Sequence, residues 1–225
     1  MGERAAPKDP GRGVAAPDRY GLVLALLTVS FLLTAFLPGD RTRPLPLLLY
    51  LAALTLALRS AHPDRPGSRR LLWVLAVPSA VAVVLLVVAP IRVVHGLVSL
   101  WMATILALAI VAVVRRVLAH PVVTLQTIFG ALSAYLLIGF FYAALFAALA
   151  QFQGTPLFAD GQPASNNTIQ YFSFITMTTV GYGDFTAASE PGRTLAVFDA
   201  LTGQIFLLTL VARLVSTFGI APRGQ

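Results

Sequence analysis

The segment from Tyr171 to Asp184 carries the residue types in this chain that could support chemistry. It reads YFSFITMTTVGYGD, an apolar run in which glycine occupies two alternate positions near the end, Gly181 and Gly183. Glycine adopts left-handed backbone conformations at no steric cost, so this stretch can leave both the helical and the extended conformation. The two glycines therefore permit a backbone that alternates between left- and right-handed conformations, which is neither a normal strand nor a helix.

Other kinds of site find no support in the sequence. The threonines before Gly181 have no neighbouring His or Lys base for nucleophilic catalysis. The chain has no cysteine, which excludes disulfides, thiolate chemistry and cysteine metal sites. It also has no P-loop, metal-ligand cluster or catalytic triad. We therefore expect neither enzymatic activity nor a cofactor.

The elements that must position this segment are membrane helices. The 225 residues are 57% hydrophobic and 11% charged, against roughly 25% charged in a soluble domain. A bilayer core of about 30 Å needs roughly 20 apolar residues in a helix. Six charge-poor runs approach that length: 20–39, 44–58, 71–91, 93–114, 122–150 and 194–212. The fold class we predict is an all-α integral membrane protein with six transmembrane helices and a re-entrant segment between the fifth and sixth.

The distribution of Lys and Arg predicts the orientation. With the N-terminus inside, twelve of the 16 basic residues lie on the cytoplasmic side and four lie outside. This asymmetry predicts a multi-pass protein of the cell membrane with both termini cytoplasmic. It also accounts for the net charge of +7 without a nucleic-acid partner. Three regions follow: a disordered tail (1–19), a four-helix membrane region (20–119) and a domain at 120–225 that contains the candidate segment.

A resemblance to a known family makes the expectation specific. Five consecutive residues resemble, letter for letter, the selectivity-filter signature of potassium channels: Thr179, Val180, Gly181, Tyr182 and Gly183. The flanking Thr178 and Asp184 also match the usual neighbours of that signature. The resemblance covers residues 122–219, a helix, pore loop and helix. It implies that region 120–225 is a pore domain with an outer helix, a pore helix, a filter and an inner helix.

The resemblance also implies how ions would bind. Their ligands would be backbone carbonyls together with the Thr179 hydroxyl: the carbonyls of Thr179, Val180, Gly181 and Tyr182. A dehydrated potassium ion needs about eight oxygens, which one chain cannot supply, so the resemblance implies a homotetramer around a shared filter. Val180 and Tyr182 would then point away from the axis and pack behind the filter. Asp184 would concentrate cations at the outer mouth.

The approach to the filter reads as a short pore helix over 168–177. Three residues are good candidates for its N-cap: Ser165, Asn166 and Asn167. Its C-terminal dipole would face the membrane centre and stabilise a cation there. Ile175 stands where the family often has an acid that pairs with the carboxylate after the filter. We hypothesise that the Tyr171 hydroxyl holds Asp184 instead.

The last apolar run contains the candidates for gating or for lining a cavity. Gly203 follows Arg193 by ten positions, a spacing that resembles that of the glycine hinge in the family's inner helix. Alternatively, Gly203 is a small residue that permits close helix packing. Asp199 is an intramembrane acid. It either braces the pore helix from behind, protonated or hydrogen-bonded, or serves as a cation-attracting cavity group or gate. Family-like register makes three other residues better cavity candidates: Gln204, Leu207 and Val211.

The first four helices show no conventional voltage sensor. Voltage gating needs several charges, each worth about 2.3 kcal/mol per 100 mV, and the run 93–114 contains no Lys or Arg. Anchoring, packing around the pore and contact with membrane lipid are the roles left for these helices. The excess of Arg over Lys suggests a GC-rich bacterial source.

Two alternatives to the channel stay open. The first is a subunit of a potassium uptake transporter, although such chains carry several degenerate pore loops where this chain has one. The second is a non-conducting scaffold or regulatory subunit that retains the pore fold.

Overall fold

Each predicted membrane run contains helix in the residues that the structure describes. The computed structural model describes residues 20–36, 48–53, 55, 66–88, 91–119 and 124–218. Six helices have defined bounds: α1 Tyr20–Phe36, α2 Pro66–Val88, α3 Arg92–Ala119, α4 Leu125–Phe152, α5 Asn166–Met177 and α6 Glu190–Phe218. Residues 48–53 are also helical. Within these ranges, β-structure is limited to one isolated bridge, so the predicted all-α class is confirmed for them.

Among the described residues, three helices are long and apolar enough to cross a bilayer: Arg92–Ala119, Leu125–Phe152 and Glu190–Arg213. They correspond to the fourth, fifth and sixth predicted runs. Tyr20–Phe36 and the Val74–Leu86 part of α2 are apolar but shorter. The predicted tail at 1–19 and most of the run 44–58 lie outside the described residues. The membrane-helix architecture is therefore supported, and the count of six spans stays a prediction.

The helix bounds differ from the apolar runs because polar caps and flanks extend helices beyond their apolar part. α4 begins at Leu125 because the side chains of Thr124 and Thr127 each accept a hydrogen bond from the other's backbone amide. It continues to Phe152, two residues past the predicted end. α6 extends beyond the run 194–212 at both ends.

α4 is the element around which the others pack, since it contacts α1, α3, α5 and α6. Its pairing with α3 is the most extensive, and α1 adds the buried Tyr20 and Leu27 to the same apolar cluster. A second cluster joins α4 to α5 and to the loop between them through Phe146, Phe158 and Phe172. α2 is joined to α3 by the Trp101 indole N–H, which donates to the Ser79 hydroxyl at 3.1 Å. α4 thus connects the first helices to the region of the candidate segment.

Candidate functional site

α5 leads into the candidate segment and is defined by its two caps. The hydroxyl oxygen of Ser165 accepts a hydrogen bond from the Thr168 amide at 3.2 Å, so the helix begins two residues before the predicted position 168. It ends at Met177, as predicted. The Thr178 hydroxyl then donates to the Phe174 carbonyl at 2.7 Å. The candidate segment therefore leaves the helix at a defined residue.

Beyond α5 the backbone alternates in handedness. Thr179, Gly181 and Gly183 have φ values of 59°, 49° and 82°, and the residues between them do not have positive φ. Such alternation is neither helix nor strand, and it turns successive carbonyl groups towards the same side. Among the described residues, Thr179 is the only non-glycine with positive φ. The alternation thus starts before the two glycines that predicted it.

The amides of the segment are held by the end of α5, while its carbonyls are left available. The Val180 and Gly181 amides both donate to the Ile175 carbonyl, at 2.9 and 3.2 Å, and the Thr179 amide donates to a carbonyl of the same last turn at 2.9 Å. In the described part of the chain, no hydrogen bond is donated to the carbonyls of residues 179–183. Carbonyl oxygens in such a row are suitable ligands for a dehydrated cation.

The side chains of Val180 and Tyr182 are largely exposed in a single chain. Their exposed fractions are 51% and 73%. The prediction that they pack behind a filter concerns the assembled protein and stays a prediction. An apolar side chain and a large aromatic side chain of the segment are therefore open to contacts from outside the chain.

Tyr171 and Asp184 lie together, as the hypothesis about this pair requires. A hydrogen-bonding interaction with the Asp184 carboxylate raises the pKa of the Tyr171 phenol above its ordinary value, because the neutral hydroxyl is the donor. The same carboxylate accepts a hydrogen bond from the Phe185 amide at 3.1 Å. Ile175, at the position where an acid was considered, is buried. The pair therefore links α5 to the residue that follows the segment.

The loop between α4 and α5 holds the far side of the segment, which the sequence analysis did not foresee. Phe158 and Ala187 form an isolated antiparallel bridge, flanked by hydrogen bonds from Ala159 to the Thr186 carbonyl and from Ala188 to the Leu157 carbonyl, each 2.9 Å. Gln162 also donates from its side chain to the Asp184 carbonyl at 2.8 Å. The segment is thus held at both ends.

Aromatic side chains fill the space under this bridge. The ring of Phe158 lies 5.4 Å from that of Phe172 and 4.9 Å from that of Phe185, and Phe172 lies 4.9 Å from Phe146, all in edge-to-face arrangements. Leu157 and Phe158 form an apolar pair in an otherwise small and polar loop. That pair was the signal in the sequence for a buried anchor.

α1 contacts α5 directly, a contact that the sequence analysis also missed. The Gln170 side chain donates to the Phe31 carbonyl at 3.3 Å, and the Asn167 side chain donates to the Ala35 carbonyl at 3.4 Å. The Phe31 ring meets the Phe174 ring edge-to-face at 5.0 Å. Gln170 is buried although it lies in an apolar helix. That unusual placement was the signal available in the sequence.

Asp199 lies behind α5, away from solvent. Its side chain is fully buried, at 0% exposure, and its Oδ2 lies 3.1 Å from the Ser173 hydroxyl. The same hydroxyl lies 2.8 Å from the Gly139 carbonyl of α4. Three helices meet at this point. The geometry matches the bracing interpretation of Asp199, since the carboxyl group contacts the pore-helix candidate.

Gly203 lies against the end of α5. A methyl group added at this position would lie 2.5 Å from Met177 Cγ and 2.6 Å from the Met177 carbonyl oxygen. α6 continues as a helix through this residue. The absence of a side chain is therefore required for close packing of α6 against the residue that precedes the candidate segment.

The three residues proposed to line a cavity lie on the open side of α6. Leu207 and Val211 are exposed, and Gln204 is half-buried. Their neighbours Ile205 and Leu208 are exposed as well. The whole flank is thus uncovered in one chain, so exposure does not single out the three residues.

Within the described residues, no cluster of three or more His, Asp or Glu side chains could hold a metal ion. The oxygen ligands that the site does offer are the backbone carbonyls of the candidate segment. The arrangement can therefore bind a cation by dehydration into a carbonyl cage, provided that several copies contribute.

A comparison with known protein families concerns this same part of the chain. Residues 130–219 match the family model described as "Ion channel". A curated relative is the voltage-gated potassium channel regulatory subunit KCNG2 of Gallus gallus, which is 33% identical over 90 residues. That alignment covers 40% of this chain and 17% of the relative. The match to the family model thus extends from within α4 to the end of α6.

Proposed function

We propose that the protein is a potassium-selective channel subunit, because residues 130–219 match the "Ion channel" family model and a curated relative is a potassium channel regulatory subunit. Potassium crosses passively through the carbonyl row of residues 179–182, with the Thr179 hydroxyl at its cytoplasmic end. The observation that carries this proposal is the alternation of positive φ at Thr179, Gly181 and Gly183 with carbonyls that receive no hydrogen bond from the described residues. Ions would move by displacing one another between adjacent sites.

A homotetramer is the proposed assembly. One chain supplies one row of carbonyls, and a closed cage about the ion needs four such rows. The exposed Val180 and Tyr182 and the exposed flank of α6 favour this assembly, because neighbouring copies would cover them. The partners proposed are therefore three identical chains and membrane lipid.

The proposed setting is the cell membrane, with six spans and both termini in the cytoplasm. The charge asymmetry of the sequence supports this orientation. Gating by a conventional voltage sensor is not part of the proposal, since the run 93–114 within α3 has no Lys or Arg. Potassium is the only ligand proposed.

Flux measurements on the purified protein in liposomes test the proposal. We expect potassium flux to exceed sodium flux and barium to block it. Gly181→Ala should abolish the selectivity, because an alanine in the left-handed region costs about 1–2 kcal/mol and distorts the carbonyl row. Gly161→Ala is the matched control, since Gly161 also has positive φ but lies in the loop outside the segment. Equal sodium flux in the wild type would refute the selectivity.

A second candidate is a non-conducting regulatory subunit, which is favoured by the similarity to a potassium channel regulatory subunit. In that case the purified protein would form intact oligomers and conduct neither ion. Potassium flux from the purified chain alone excludes this candidate.

A further inference from the structure

A polar network crosses the apolar region between three helices. It consists of the Asp199 carboxyl of α6, the Ser173 hydroxyl of α5 and the Gly139 carbonyl of α4. The Ser173 oxygen lies 2.8 Å from the Gly139 carbonyl oxygen and 3.1 Å from Asp199 Oδ2. Asp199 and Ser173 are both fully buried, at 0% exposure.

The number of hydrogens in this network determines the form of Asp199. A serine hydroxyl has one hydrogen, and a backbone carbonyl can only accept. If Ser173 donates to an ionised Asp199, its oxygen faces the Gly139 oxygen at 2.8 Å with no hydrogen between them. Both contacts become hydrogen bonds when Asp199 carries a proton on Oδ2 and donates to Ser173, which then donates to Gly139.

The surroundings of Asp199 agree with a neutral acid. Its Oδ1 is buried and has no hydrogen-bond partner in the described part of the chain, which costs far more for a carboxylate than for a neutral carboxyl. Tyr135 and Tyr142 are the titratable groups of α4 that face it, and Ser173 is the polar group that faces it from α5. No Lys, Arg or His among the described residues pairs with it.

We propose that Asp199 is a neutral carboxylic acid whose O–H donates to Ser173 and thereby positions α5 behind the carbonyl row. The proposal of a positioning role rests on the proposed function. Ser173 lies two residues before Ile175, whose carbonyl accepts the amides of Val180 and Gly181. A shift of α5 at Ser173 is therefore transmitted to the start of the row.

Infrared spectroscopy of the protein in lipid at neutral pH tests the protonation state without requiring conduction. The difference between wild type and Asp199→Asn should show a protonated carboxyl C=O band in the wild type only. Ser173→Ala should shift that band to higher frequency, because the acid loses its acceptor. Glu190→Gln removes an exposed, ion-paired acid and serves as the control, with loss of a carboxylate band alone. Loss of a carboxylate band in Asp199→Asn would overturn the proposal.

Flux measurements test the positioning role. Asp199→Asn should keep potassium selectivity near that of the wild type, because the amide N–H donates to Ser173 in place of the acid. Asp199→Leu and Ser173→Ala should each lower the potassium-to-sodium ratio by about tenfold or more, since each leaves a buried polar group unpaired. An equal loss in Asp199→Asn and Asp199→Leu would show that charge is what matters and would overturn the positioning role.

The two tests separate this inference from the function. If the wild type conducts nothing, the proposed channel function fails, and the infrared comparison still decides whether Asp199 is neutral. If the wild type conducts and the carboxyl band is absent, the inference about Asp199 fails alone. Where Asp199→Leu does not assemble, flux through Ser173→Ala tests the positioning role, and the band shift in Ser173→Ala tests the hydrogen bond.

Discussion

Thr179 has a costly backbone conformation, since it is the non-glycine residue with positive φ in the described part of the chain. A β-branched residue in the left-handed region is uncommon, and that conformation costs roughly 1–2 kcal/mol. Its amide hydrogen bond to the last turn of α5 offsets part of this cost. This conformation turns the Thr179 carbonyl to the same side as the carbonyls of the next residues in the row, which explains why the chain adopts it. At the residue scale, the site is therefore a set of backbone conformations, held by hydrogen bonds to the end of α5 and by close packing there.

Gly203→Ala tests the close packing. The added methyl group would lie 2.6 Å from the Met177 carbonyl oxygen, so we expect a loss of about 1–3 kcal/mol in stability and a lower potassium-to-sodium ratio. Thermal unfolding in detergent and liposome flux measure the two effects. Gly192→Ala in the same helix is the control, because its nearest contacts are side-chain atoms at 3.2 Å. A change in gating with unchanged stability would instead favour the hinge interpretation.

Tyr171→Phe tests the link between α5 and Asp184. Removing the hydroxyl leaves the carboxylate without this donor, so we expect the conducting state to decline faster during sustained potassium flux. We also expect a small loss in thermal stability, because the variant lacks this interaction. Unchanged stability together with unchanged decline of the current would end the hypothesis.

At the scale of elements, the contact between α1 and α5 gives the first helices a role. Two side-chain amides of α5 donate to carbonyls near the end of α1, and Phe31 packs on Phe174. The last turn of a helix has carbonyls without intrahelical partners, so α5 also caps α1. Displacement of α1 would therefore move the helix that carries the carbonyl row.

Gln170→Leu tests this coupling. The change keeps the size of the side chain and removes the donor to the Phe31 carbonyl, so we expect reduced thermal stability and a smaller potassium-to-sodium ratio. Gln126→Leu, at an exposed position of α4, is the matched control. Identical behaviour of the two variants would show that α1 does not support α5.

At the scale of the whole molecule, the uncovered surfaces favour assembly. The side chains of Val180 and Tyr182 and the flank of α6 are exposed in one chain, whereas α4 is enclosed by four other helices. Native mass spectrometry should therefore find four chains of 23.9 kDa each. A monomer that conducts potassium would contradict the proposed cage.

A substitution on that flank distinguishes a subunit interface from a lipid-facing surface. Phe198 is 57% exposed on α6 and Phe36 is 77% exposed on α1. We expect Phe198→Ala to weaken the tetramer and Phe36→Ala to leave it unchanged, because only the first ring would be buried by a neighbouring copy. The fraction of tetramer at increasing detergent concentration measures the difference. Equal fractions for the two variants would count against the flank as an interface.

The sequence by itself determined the features that depend on neighbouring residues. The apolar runs predicted the three long apolar helices of the described residues, and the glycines at 181 and 183 predicted an unusual backbone at those positions. Ser165 was one of three N-cap candidates, and it caps α5, because a cap acts within one turn. Each of these depends on bonded geometry or on periodicity over a few residues, so no tertiary contact was needed to predict it.

Only the tertiary structure decided which distant residues meet. It placed Gly203 against Met177, Asp199 beside Ser173, Phe158 beside Ala187, and Phe31 beside Gln170. These partners lie 26 to 139 residues apart, and local patterns are the same for several ways of packing apolar helices. The choice among those ways is made by side-chain shape and by the few buried polar groups that must find partners, which is why the packing of the site had to come from the fold.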